Sequence, residues 1–188
     1  MEIFRDSVPG ITKSPSRRVF GVDPATNKIV VPIDLCTYTF DTSGGEVGPD
    51  PSLVAFLIGT EVKKSSNGVS IGKIQFAETP SVASNVNPFV ILDSSSSTIP
   101  IVDRIIPTLV SVGDPVTIGG TTVSGKISVL LQELSFPHDA SLKIQAFTVK
   151  LNTPVGSSFQ GSPILTTSGQ TVGMLLGSGS TVIACPFP

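Results

Sequence analysis

The chain has 188 residues, 39% of them hydrophobic, enough for one substantial domain or two small fused ones and too apolar for a disordered tail. Charged residues make up only 14% and the formal net charge is −2, so no field exists to steer the protein to phosphate backbones or anionic lipid, and nucleic acid is excluded as a general partner. No window reaches the roughly 18 consecutive apolar residues of a membrane span, and the start carries no basic segment followed by an apolar run of secretory length, so no membrane partner and no address are expected.

Residues 1–16 hold Pro9, Gly10, Ser14 and Pro15 with few periodic apolar positions and read as an extended N-terminal arm. The Arg17-Arg18 pair that follows reads as a solvated turn. Runs rich in Val, Ile, Thr and Phe then recur, cut every 8 to 15 residues by Gly, Pro, Asn or Ser clusters, the spacing of a β-sandwich or barrel. Strands are predicted over 19–22, 28–33, 37–40, 53–60, 68–76 and 89–92, and no window shows a helical period. Asp93 opens the run Ser94-Ser95-Ser96-Ser97, which leads to Pro100 and Pro107. Such a stretch cannot form a ladder strand, so it connects two halves. A second set of strands is predicted over 115–118, 125–134, 142–151, 164–167, 171–177 and 181–184. The expected organisation is an arm over 1–16, a first β unit over 17–97, a connection over 98–110 and a second β unit over 111–188.

Two motif clusters in the second half carry a family resemblance. Ser111-Val112-Gly113-Asp114-Pro115-Val116 leads through Gly119-Gly120 to Thr122-Val123-Ser124-Gly125-Lys126-Ile127. It resembles the V-G-D-x-V strand, glycine turn and T-x-G-x-I/V strand that open the second barrel of trypsin/chymotrypsin-like serine peptidases. Gly156-Ser157-Ser158-Phe159-Gln160-Gly161-Ser162-Pro163, followed by Gly169 to Gly177, resembles that family's nucleophile loop and the hairpin after it. The resemblance implies an all-β fold of two six-stranded antiparallel barrels, with a single β-sandwich or jelly roll as the competing architecture. The first half contributes less: Ile71-Gly72-Lys73-Ile74 and Phe89-Val90-Ile91-Leu92-Asp93 resemble the strands leading to the family's catalytic aspartate, which puts Asp93 at that position.

The same alignment empties the catalytic site. Gln160 falls where the nucleophilic serine belongs, and Phe159 where the family has an acidic residue. An alternative alignment makes Ser158 the nucleophile, and Ser162 is a further candidate, but a serine hydroxyl needs a positioned base. The family's A-A-H-C or T-N-H-V loop in the first barrel supplies that base, whereas the sole histidine, His138, lies in the second half on a Pro137-His138-Asp139 turn expected to face solvent. No catalytic residue is therefore expected, with Ser158, Ser162 and Asp93 as the residual candidates. The degenerate loop Phe159-Gln160-Gly161-Ser162 remains, and a peptide groove bordered by Phe159, Gln160, Ser178, Gly179 and Ser180 could outlast the chemistry.

One histidine and two remote cysteines, Cys36 and Cys185, do not make a metal site. Asp41, Glu46 and Asp50 offer oxygen ligands, but their spacing fits no calcium loop and predicts a solvated one. Gly177-Ser178-Gly179-Ser180 lacks the Lys-Ser/Thr of a phosphate loop and reads as a hairpin turn, so no cofactor is expected. The two cysteines are expected to be free, buried thiols. The expected partners are a protein or peptide, or copies of the chain itself, since hydrophobic strands with few charged residues imply covered edges. Three functions follow in order: a non-catalytic peptidase-like module acting in protein binding or as a structural unit, a structural or assembly protein of viral type, and an unconventional serine hydrolase.

Overall fold

The two residues between Arg18 and Gly21 shape the first half of the molecule. A computed structural model describes residues 1–188. Its first half contains β1 (Glu2–Arg5), β2 (Arg17–Arg18), β3 (Gly21–Val22), β4 (Ile29–Pro32), α1 (Asp34–Thr37), β5 (Thr39–Phe40), β6 (Glu46–Val47), α2 (Val54–Leu57), β7 (Glu61–Lys64), β8 (Ser70–Phe76) and β9 (Phe89–Leu92). Apart from the small β5–β6 ribbon, the strands form one antiparallel sheet in the order β2-β1-β7-β8-β9-β4-β3. Its two edge strands, β2 and β3, are separated only by Val19 and Phe20, a reach of about 11 Å at 3.8 Å per residue. The sheet must curl until its edges nearly meet, and Arg17–Val22 acts as one bent strand serving both, which makes six strands around the curl.

The structure departs from the sequence reading at three places here. Glu2–Arg5 of the expected arm is strand β1, paired on both sides with β2 and β7, and Ile3 and Arg5 are fully buried. The alternation Glu2-Ile3-Phe4-Arg5 carries this strand, but a buried arginine disguises it. Nε of Arg5 donates to the Leu35 carbonyl, one terminal nitrogen to Asp6 and Thr12, and the other to Tyr38. Carbonyls alone satisfy the cation, and burial lowers its pKa from the usual arginine value. The predicted strand over 53–60 is instead a 3₁₀ turn at Pro51–Leu53 running into α2. Asp50 caps it, accepting from the Ser52 N–H at 3.1 Å, and a capped proline at the first helical position is a helix start that the apolar run concealed. β7 follows, where no strand was predicted.

The second half closes into a six-stranded barrel. Its strands are β10 (Pro115–Ile118), β11 (Ser124–Phe136), β12 (Asp139–Val155), β13 (Pro163–Thr166), β14 (Thr171–Leu176) and β15 (Gly179–Cys185), in the order β10-β11-β12-β15-β14-β13. Gly125 sits where a Cβ would collide with the Lys150 carbonyl of the neighbouring strand, so only glycine lets β11 and β12 approach this closely. β11 and β12 run 13 and 17 residues, well beyond the predicted 125–134 and 142–151.

Their length reflects a division of faces. On β12, Phe147, Val149 and Leu151 point into the barrel core, while Leu142, Ile144 and Ala146 join the core of the first half. Odd and even positions of a strand face opposite sides, so one strand supplies two cores. β14 also supplies both cores, its alternation broken by a register shift between Thr171 and Gly173: Val172 and Leu175 belong to the barrel, Met174 and Leu176 to the first core. A six-residue strand buried at every position reads as a continuous apolar run for that reason. Between β9 and β10 the chain forms no strand, only a 3₁₀ turn at Pro107–Leu109, and isolated parallel bridges tie it to both halves through Val22–Ile101 and Arg104–Thr171.

Both cysteines are free and buried. Burial pushes the Cys36 thiol up to about 12 and raises that of Cys185 as well. Neither should react with a thiol reagent at pH 8 in the folded protein, and both should react once it is unfolded. The unfolded thiols ionise near pH ~8.5 while the native ones hold their protons. Stability is therefore expected to fall as pH rises from 8 towards 11, with a shallower fall in a Cys36→Ala, Cys185→Ala variant, as denaturation midpoints across that range will show.

Candidate functional site

The loop between β12 and β13 is a single 3₁₀ turn, Ser157–Phe159, followed by Gln160 and a left-handed Gly161 at φ +100°. A Cβ at position 161 would collide with the Arg18 carbonyl and the Pro32 ring, so the glycine is demanded by both dihedral and space. The loop is laced to its surroundings by main-chain bonds. The Gln160 carbonyl accepts from the Arg18 N–H at 2.9 Å, the Gly161 N–H donates to Leu175 at 2.9 Å, and the Leu175 N–H donates to Ser162 at 2.9 Å. The Gln160 side chain is 1% exposed, and its Oε1 accepts from the Gly177 N–H at 2.9 Å. Its own N–H donates to the Ser157 carbonyl at 3.1 Å.

The other expected residues are dispersed. Ser158 lies half-buried within the 3₁₀ turn. Ser162 is buried and its Oγ has no hydrogen-bond partner. Asp93 is exposed at the end of β9, where its carboxylate accepts from the Lys73 N–H at 2.8 Å, a contact within the first half alone. Phe159 lies beneath the Arg18 guanidinium, 4.1 Å from ring centroid to carbon, a cation–π stack. Ser178 follows Gly177 in the turn between β14 and β15, and Gly179 and Ser180 begin β15.

A second constellation was not foreseen. Asp34, on α1 immediately after β4, has a fully buried carboxylate. Arg17, whose side chain is 2% exposed, donates to its Oδ2 from Nε at 3.3 Å. Arg17 also reaches Glu46 at 3.4 Å. His138 arrives from the other half at the tip of the β11–β12 hairpin, its Nε2 3.2 Å from the same Oδ2 and its side chain 12% exposed. The approach has ion-pair distance without hydrogen-bond angles, so Nε2 is left without a hydrogen-bond partner, and the other carboxylate oxygen, Asp34 Oδ1, has none either. Tyr38 and Phe136 present their rings edge-on to the imidazole at 5.4 and 5.2 Å. Burial, reinforced by the Asp34 charge, pushes the Tyr38 hydroxyl up to about 12.

Two expectations are corrected by this cluster. Arg17 is not part of a solvated turn, and His138 does not face solvent. The hairpin carries the Pro-His-Asp turn across the junction because Phe136 and Leu142, which flank it, bury themselves in the first core. Of the acidic loop, Asp41 caps its own turn, accepting from Ser43 and Gly45, Asp50 caps the 3₁₀ turn, and Glu46 turns to Arg17. No three His, Cys, Asp or Glu residues gather in a way that could hold a metal ion. Nothing local marked Asp34.

Between the hairpin tip and the β14–β15 turn lies a cavity of about 310 Å³, lined by Pro137, His138, Leu176, Ser178, Thr181 and Ile183 among others. Only Leu176, Val182 and Ile183 of its eight lining residues are hydrophobic, so its wall is mainly polar.

No family model matches the chain, and no curated protein matches it in sequence. Solved structures do match its fold. The chain is similar to the Rv3671c protease of M. tuberculosis in its active form, with 16% identity, a TM-score of 0.59, and coverage of 98% of this chain and 74% of that one. It is similar to Deg5 (14% identity, TM-score 0.50, 98% and 82% covered) and to the MamO protease domain of Magnetospirillum magneticum (12%, 0.50, 98% and 90%). The all-β, trypsin-like fold expected from the sequence is the fold of this chain.

The buried pair gives a test that separates charge from packing. Replacing Asp34 alone by Leu leaves Arg17 buried and opposed only by the partly exposed Glu46, and is expected to cost about 3 kcal/mol. Adding Arg17→Met should recover most of that loss, since apolar replacement of both partners is close to neutral. Urea denaturation of the two single variants and the double variant reads the cycle.

Proposed function

We propose that this chain is a non-catalytic trypsin-like module that binds an extended protein segment or peptide, with its groove between the β11–β12 hairpin tip and the β14–β15 turn. The observation that carries the reading is the state of Gln160. At the nucleophile position stands an amide that is buried and bonded to Gly177, with no hydroxyl to activate. In triad enzymes the N–H of the nucleophile residue helps to bind the oxyanion. Here that N–H is spent on Ser157 within the 3₁₀ turn. One further feature supports the reading: the only imidazole, His138, is turned to Asp34 rather than to the loop.

What remains is recognition. The cavity offers His138 and the half-buried Ile183 in its wall and the exposed Ser178 and Thr181 at its rim, a mixed surface suited to a polar or small side chain of an extended segment. The competing reading is self-assembly, favoured by the consecutive Val129, Leu130 and Leu131, which are 38 to 45% exposed on β11. A concentration-dependent shift on size-exclusion chromatography that Leu130→Lys abolishes would favour assembly over peptide binding.

The catalytic question is decided by reactivity. Fluorophosphonate is expected to leave Ser158 and Ser162 unmodified in the folded protein, as read by intact mass and peptide mapping, and Gln160→Ser is expected to show no peptidase turnover because the base is also missing. A stoichiometric adduct on the folded protein, or turnover by Gln160→Ser, would revive the hydrolase reading. Binding is tested with peptides selected on the pure protein by display: Thr181→Arg at the cavity rim is expected to weaken them at least tenfold.

A further inference from the structure

β11 has a neighbour on both sides only near its start. Its outer edge pairs with β10 at Ser124, Gly125 and Lys126, and Ile127 exchanges main-chain bonds with Gly113 and Asp114. From Ser128 to Ser135 the only strand beside it is β12, so the outer edge offers its main-chain donors and acceptors to no other strand. Proteins ordinarily guard such an edge with charge, proline or a cover. Here Val129, Leu130 and Leu131 are 38, 45 and 39% exposed. Register shifts on both sides of Val129 leave Leu130 and Leu131 without a paired residue on β12. Extending the β10–β11 register beyond Pro115 and Lys126 brings Val112, 61% exposed, beside Val129, so the apolar surface continues from the open edge onto the connection.

Charge is divided between the two ends of this hairpin. At its root, Lys126 and Lys150 are exposed and directly opposed across β11 and β12, an unfavourable like-charge pair, and Asp114 is the carboxylate beside them. Towards its tip stand Glu133 and Asp139 with Lys143, while His138 is turned inward to Asp34. Two cations and one anion give the root a positive sign; two anions and one cation give the tip a negative one. No salt bridge in the molecule engages any of these six side chains.

We propose that the open edge of β11 pairs with the same edge of a second copy, antiparallel about a two-fold axis at Leu131. That axis sets residues 128–134 of the two copies against one another, clear of β10, and joins the two hairpins in one ladder. The copy supplies what the edge lacks, a strand whose own edge is free, and it covers the apolar trio with the same trio. Charge selects the antiparallel arrangement: it lays each positive root against the other copy's negative tip, whereas a parallel one sets like against like. The pairing gives the assembly reading its surface and rests on that reading. No groove residue lies on this edge, so each copy keeps its own groove.

The test is sedimentation of the full chain from low to high micromolar concentration. A monomer–dimer equilibrium is expected, weakened by salt and abolished by Leu130→Lys, with affinity for groove peptides unchanged in that variant. Lys126→Glu and Glu133→Lys each reverse one end and should weaken the dimer at least tenfold, and the two together, which reverse both ends, should restore it. Leu131→Cys, at the axis, should crosslink to its own copy under mild oxidation, and Lys150→Cys should not, the two native thiols being buried. A dimer indifferent to Leu130→Lys, or one that the double reversal fails to restore, overturns this pairing and leaves assembly through another surface. A chain that stays monomeric at every concentration overturns the pairing and the assembly reading together.

Discussion

The molecule depends on strands that serve two cores at once. β14 is buried at all six positions, with one face in the barrel and the other against the curled sheet, and β12 divides its length the same way. Separating the halves would strip Leu142, Ile144, Met174 and Leu176 of their cover, and apolar burial on this scale contributes about 25 cal/mol for each Å² removed from water. The halves are one continuous body, and their relative placement decides where every loop at the junction stands. Because β14 is locked from both sides, Gly177 and the turn after it are held in reach of Gln160, and the loop beyond β12 is bonded to β14 and to Arg18 together.

The buried charges gather around α1. Arg5 spends its donors on four carbonyls that belong to the arm, to α1 and to the residues after it, and so binds the N-terminal strand to the turn that carries Asp34. Arg17 and Asp34 pair beside it, and the hairpin tip seals them with His138, Tyr38 and Phe136. A buried ion pair adds little net stability over an apolar substitute, but it tolerates no misplacement. Both partners belong to the first half, and His138 from the hairpin of the second half lies against the same Asp34 oxygen.

Much of the second half was legible because its glycines carry steric information. Gly125 and Gly161 mark places where another backbone presses too close for any side chain, and such marks stay in order along the chain whatever the rest of the sequence does. The strands from β10 to β15 follow from them and from two-residue alternation. The first half was harder. β1 hid behind a buried arginine that looks like a surface residue, the helical turn at 51–57 hid behind an apolar run that reads as a strand, and β2 was taken for a solvated turn because two adjacent arginines ordinarily seek water.

The sequence by itself determined the all-β class, the two groups of strands and the glycine-built loop at 156–163, because each of these rests on local periodicity or on sterics within a few residues. Only the tertiary structure decided that His138 meets Asp34 and that Arg17 is sealed from solvent against the same carboxylate. Those pairs lie 104 and 17 positions apart in the chain, and they are brought together by the burial of strand faces that carry no mark of which partner they will find.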